Sequence, residues 1–138
     1  MNQNERDSYY LEIAKTVSKR STCYYGNLGC VIVDKDDNVI STGYLTDKSG
    51  IINCRKSGYC SFAEREGITD NYGTPEQCDY MFPEVSAILA ADRSRLQDSS
   101  LYLYCEDLTG HIIEPKIEKT IVRILRSAGV KRIVLPKQ

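Results

Sequence analysis

The sequence predicts an α/β protein built on a mixed sheet with helices on both faces. Three observations lead there. The chain has 138 residues, which suits one domain with one core. Its apolar residues switch between helical and strand spacing. The segments run α-β-β-long loop-α-β-α-β, and no repeat or linker divides them. A single domain over residues 1–138 is therefore expected.

The first helix is expected over 7–20, where Tyr10, Ile13, Ala14 and Val17 recur at helical spacing. Leu28 to Val33 (LGCVIV) is an apolar run suited to a strand. Asp34 to Asn38 reads as a turn, and Val39 to Tyr44 (VISTGY) as the second strand of a hairpin. Leu45 to Met81 has no sustained period and is rich in Gly, Asp and Asn. A loop that long is unusual in a compact domain unless something fixes it or it serves a function. Pro83 to Ala91 reads as a helix with Pro in its first turn. Ser100 to Cys105 (SLYLYC) is a strand, followed by a turn at Asp107 to Gly110. The last helix is expected over 117–128 with Gly129 as its C′ glycine, and the last strand over 131–135.

The formal charge of -1 gives no long-range attraction to nucleic acid or an anionic membrane. A small phosphorylated ligand stays open, since a few local groups suffice to hold a phosphate. The polar opening MNQNERDSYY does not read as a signal peptide, and no apolar run reaches the length of a membrane span. The cytoplasm is the expected compartment. There the six Cys are read as buried thiols or metal ligands rather than disulfides.

Several blocks together carry a family pattern: KRSTC at 19–23, GCVIV at 29–33, ISTGY at 40–44 and SGIINC at 49–54. EVSAILAA at 84–91, LYLYC at 101–105 and ILRSAGVKRIV at 124–134 continue it. In order and spacing the chain resembles the zinc-dependent deoxycytidylate deaminases, within the wider cytidine-deaminase fold. The resemblance implies a three-layer α/β/α architecture. It also implies a zinc held by one His and two Cys, with a Glu moving protons for a zinc-bound water.

On this chain the family's H-A-E motif becomes Phe82-Pro83-Glu84. Glu84 matches the proton shuttle, while Phe82 stands where the His ligand should be. Counting back from SAGVKRIV puts the two cysteine positions of P-C-x-x-C on Glu118 and Ile121. A rival register, with the motif's Pro on Pro115, puts them on Lys116 and Lys119. Neither offers a thiolate. A rebuilt site from Glu118, Cys105 and His111 is an alternative; otherwise His111 is a solvent-facing turn residue and Cys105 a buried thiol. The substrate contacts implied by the family fall on Tyr44, Leu45 and Ser86, where Leu45 and Ser86 replace the usual amides.

Glu84 thus has two readings. It is an acid that favours the helix start, or a retained acid/base near Glu118 and Tyr44, Tyr80 or Tyr104. Cys23, Cys54, Cys60 and Cys78 match places where the family carries an additional structural zinc, and four thiolates suit a closed tetrahedral site. Cys30 reads as core.

The function implied is a catalytically silent homologue: a structural, regulatory or nucleotide-binding subunit, paired with itself or an active relative. A repurposed enzyme acting on a nucleoside-like or amino-containing small molecule is the alternative. A zinc deaminase with a rebuilt site is the third reading.

Overall fold

The computed structural model describes residues 1–47, 49–60 and 80–137. Cys78 lies outside the described residues. The first helix, α1, spans Gln3–Ser18, four residues earlier at its start than its apolar spacing suggests. The reason is local: the Asn2 side chain caps it by accepting the Glu5 N–H.

Strand β1 (Gly26–Val33) pairs antiparallel with β2 (Val39–Tyr44) and with β3 (Ser99–Asp107). β3 pairs parallel with β4 (Val130–Val134), so the sheet is mixed, in the order β2-β1-β3-β4. β1 and β3 run two or more residues past the apolar runs that predict them, because their pairing continues from Gly26 opposite Asp107.

Side chains alternate across a strand, and here the alternation feeds two cores. Cys30, Ile32, Leu101 and Leu103 face one side with Ala87, Leu96, Ile121, Leu125 and Val130. Val31, Val33, Tyr102 and Tyr104 face the other, against Tyr10 and Ala14 of α1. The second core is rich in tyrosine, and its hydroxyls find partners. Tyr10 donates to Asp37, and Tyr102 donates to Asp7, which Arg132 also holds.

The first core is covered by α3 (Pro83–Ala90) and α4 (Lys119–Ala128). Helices therefore cover both faces of the sheet, giving the three-layer α/β/α arrangement expected. α4 starts at Lys119, two residues later than expected, because Glu118 is extended (ψ 151) and takes the cap position. It ends at Gly129, whose φ of 110 favours glycine. α3 lies close over β2. A side chain at Gly43 would collide with the Pro83 carbonyl, so that glycine lets the helix start approach the strand.

The segment expected to lack structure contains a short helix, α2 (Cys54–Ser57), capped by Asn53. Its ends meet in an isolated bridge between Thr46 and Met81. Periodicity does not reveal four residues of helix or a single bridge.

Candidate functional site

Glu84 sits in the first turn of α3 and is 3% exposed. Proline ahead of it starts the helix, and Phe82 at the cap position offers no side-chain hydrogen bond. The Oε1 atom of Glu84 is buried without a hydrogen-bond partner among the described residues. Burial pushes its carboxyl up to about 7, opposed by its own backbone N–H. The first cause is desolvation of the charged form. Its ionised form is felt by two thiols, Cys30 of β1 and Cys105 of β3. Both thiols are raised mainly by burial, Cys105 to about 11, so they stay protonated at neutral pH.

Phe82, Val85, Ile88 and Ile117 pack against the core cluster that contains Ile121, which is 5% exposed. An aromatic ring and an alkyl chain have no lone pair for a metal. Glu118, the third position of the expected ligand set, is the extended cap residue of α4. It is not a cause of the Glu84 shift, so the expected mutual effect of two paired acids is not what raises Glu84.

The tyrosines expected beside Glu84 are placed elsewhere. Gly43 lies against Pro83, so Tyr44, the next residue of β2, turns to the opposite face. There the Arg20 guanidinium lies 4.6 Å from its ring centre. Tyr104 is also on the α1 face, with the Lys15 ammonium 6.0 Å from its ring centre. Leu45 continues the sheet edge through its backbone, donating to the Leu28 carbonyl and accepting the Thr22 N–H. Ser86 is buried with a bare Oγ. Two residues along a helix it projects roughly 200° away from Glu84, so the two do not converge.

His111 stands in the turn after β3. Its ring contacts the Thr109 hydroxyl at 2.7 Å and its side chain is 83% exposed. The Asp107 carboxylate accepts the backbone N–H groups of Thr109 and His111, which makes this a polar turn. His111 and Cys105 do not assemble with Glu118. Among the described residues no group of three or more His, Cys, Asp or Glu is arranged to hold a metal ion.

The Cys23 thiol is within electrostatic reach of Cys54 and of Cys60, but the three are not drawn together as a metal-holding group. Burial raises the Cys23 thiol, and the neighbouring thiols of Cys54 and Cys60 raise it further. Cys78, the fourth expected member, lies outside the described residues. The neighbourhood is organised by Arg55, which the sequence pattern does not single out, and by Tyr80, which is expected beside Glu84 instead. The Arg55 guanidinium donates to the carbonyls of Cys23 and Gly26 and to the Asn27 side chain. The buried Tyr80 hydroxyl accepts the Cys54 N–H and the Thr22 hydroxyl, each at 2.9 Å. Burial moves this phenol up to about 12. Neither role has a sequence signal beyond Tyr80 being one of ten tyrosines.

No helix among the described residues is long and apolar enough to cross a membrane.

Comparison with known proteins agrees with the fold. The model for the cytidine and deoxycytidylate deaminase zinc-binding region matches residues 4–124. The deoxycytidylate deaminase of Mycobacterium phage D29 is 27% identical over 138 residues, covering 100% of this chain and 99% of that protein. The deoxycytidylate deaminase of Schizosaccharomyces pombe is 34% identical over 102 residues, 72% of this chain. That match spans only 30% of the yeast protein's own length. Among solved structures, the apo dCMP deaminase of cyanophage S-TIM5 superposes with a TM-score of 0.63 at 16% identity. It is covered over 98% of this chain and 84% of its own. That likeness is one of fold.

The zinc implied by the family has two places to be tested. At the catalytic place Phe82 and Ile121 supply no donor, and the residues do not fit the ion. At the loop, Cys23, Cys54 and Cys60 are thiols, a donor type that suits zinc, but among the described residues they do not form a metal-holding group, and Cys78 lies outside those residues. With residues 4–124 matched and the sheet, helices and layer order in agreement, the chain belongs to the cytidine and deoxycytidylate deaminase family.

Proposed function

We propose that this chain is a catalytically silent member of its family. It serves as a structural, regulatory or small-molecule-binding subunit, assembled with itself or with an active relative. One observation carries the reading: Phe82 and Ile117 each pack against the apolar core cluster that contains Ile121, and Glu84, two residues after Phe82, is buried. Apolar packing at those positions supports a closed interior in place of a metal-bound water. Purified protein supplied with zinc should not turn over deoxycytidylate or cytidine substrates. Turnover that disappears in Glu84→Gln would overturn the reading.

A second reading draws on Glu84 itself. A carboxyl at about 7 is suited to exchange protons at neutral pH. That supports a repurposed enzyme acting on a nucleoside-like or amino-containing small molecule. Glu118 would be its weaker candidate partner. A ligand retained from the cell and seen between Glu84 and Glu118 would favour it, and an interior without ligand at Glu84 would count against it. Tyr44, Leu45 and Ser86 are the positions through which a nucleotide would be met. Loss of nucleotide binding in Tyr44→Ala would test that assignment.

The cofactor of this reading is a structural zinc on Cys23, Cys54, Cys60 and Cys78. The proximity of the first three thiols supports it. A thiolate site calls for a reducing compartment, consistent with the cytoplasm. Zinc content should be about one per chain, by the stoichiometry of a closed four-ligand site, and should fall to none in Cys54→Ser. Zinc retained by that variant would move the ion elsewhere.

A further inference from the structure

We propose that Tyr80 and Arg55 are positioning residues that hold Cys23 and Cys54 side by side before any metal is bound. The consequence for metal uptake rests on the thiol-site reading above, whereas the clasp itself is independent of it.

A metal site in a long loop commonly forms only when the ion arrives, so binding and folding are one event. The loop between β2 and α3 begins otherwise. Met81 N–H donates to the Thr46 carbonyl, and the Thr46 and Thr22 hydroxyls lie 3.0 Å apart. The Thr22 hydroxyl in turn donates to the Tyr80 oxygen, and Tyr80 donates to the Thr22 carbonyl. Tyr80 is 4% exposed, so these bonds are made away from water.

Each thiol is flanked by pinned backbone. On one side, the Cys23 carbonyl accepts two bonds from the Arg55 guanidinium, at 3.1 and 2.9 Å. On the other, Cys54 N–H reaches Tyr80 and Arg55 N–H reaches the Thr22 carbonyl at 3.0 Å. The planar fork of arginine suits this task, because one side chain spans the Cys23 and Gly26 carbonyls and the Asn27 amide oxygen together. Lysine offers no such fork. These bonds run through backbone groups, hydroxyls and the guanidinium, and the Tyr80 hydroxyl also meets the Cys54 thiol. On this proposal the clasp meets the ordering cost of bringing the two cysteines together, and a preorganised site binds more tightly than a floppy one.

The test uses the full chain stripped with EDTA. Hydrogen exchange is measured at the Cys54 and Arg55 amides, and zinc chloride is then titrated in under reducing conditions. In metal-free wild type both amides should exchange more slowly than those of the exposed loop. Tyr80→Phe should speed exchange at Cys54. Tyr80→Phe and Arg55→Lys should each weaken zinc binding about tenfold at unchanged stoichiometry, the size of one lost buried hydrogen bond. Protection that vanishes with EDTA in wild type overturns the clasp. Unchanged zinc affinity in both variants overturns the positioning role. Absence of zinc binding by wild type sinks the thiol-site reading and the positioning role with it, while exchange in the apo chain still decides the clasp. A thermal scan of Tyr80→Phe separates loss of the clasp from loss of the fold.

Discussion

The Glu84 region and the loop around Tyr80 treat buried polar groups in opposite ways. At Glu84 a carboxyl oxygen lies in an apolar core with no partner, and the Ser86 hydroxyl on the same helix is also bare. At the loop a single phenol oxygen serves Thr22 and Cys54, and one guanidinium serves three acceptors. Buried polar groups usually find partners because leaving one bare costs about 1–3 kcal/mol. The fold satisfies this rule in the loop and breaks it beside Phe82. The difference teaches where polar organisation has been kept. The described ends of the loop are held by hydrogen bonds, while Glu84 is buried with one carboxyl oxygen unpartnered among the described residues.

The largest effect should come from the packing that surrounds Glu84. Ile121→Ala removes a nearly buried side chain and should lower stability by about 2–5 kcal/mol, the range for such truncations. Urea unfolding measures it. A loss below about 1 kcal/mol would mean that α4 is not sealing this place.

Glu84→Gln is next, and its sign depends on pH. Below the unfolded carboxyl pKa of roughly 4.3, Glu84 is neutral in both states and costs nothing by ionisation. From there to about 7 the unfolded chain releases the proton while the folded chain keeps it. Stability therefore falls across that window and the penalty is constant above it. The full penalty is on the order of 3 kcal/mol, as an upper figure. Glu84→Gln should be more stable than wild type at pH 8, with the gain shrinking toward pH 5. A variant less stable than wild type at pH 8 would show that the ionised carboxyl has a partner in solution.

Tyr80→Phe keeps the ring and removes the hydroxyl. It strands the Cys54 N–H and should cost about 1–2 kcal/mol. A neutral result would remove the contrast between the two regions. The smallest effect belongs to His111→Ala. An exposed turn residue should change stability by less than about 0.5 kcal/mol and leave zinc content unchanged. Loss of zinc in that variant would revive a rebuilt site around His111 and Cys105.

Much of the fold was legible in the sequence because burial imposes periodicity. LGCVIV and SLYLYC become paired strands, and Val39–Tyr44 matches its expected limits. Boundaries shifted where a cap or a pairing register decides them: Asn2 lengthens α1, and extended Glu118 shortens α4. The site was legible residue by residue but not as an arrangement. Glu84 stands at a helix start as expected, yet Tyr44 and Tyr104 face the other side of the sheet. Strand parity, read from Gly43 against Pro83, contains that answer only once the contact is known.

The sequence by itself determined the layer order and the family, and it shows Phe82-Pro83-Glu84 where the resemblance expects H-A-E. Those follow from residue type and local period, which any chain displays along its length. The tertiary structure decided that Glu84 is buried with a bare oxygen, and that the Cys23 thiol is raised by burial and by the Cys54 and Cys60 thiols. It also supplied Arg55 and Tyr80, whose partners lie up to 58 residues away. Burial and long-range hydrogen bonds depend on what the fold brings together, and no local pattern records them.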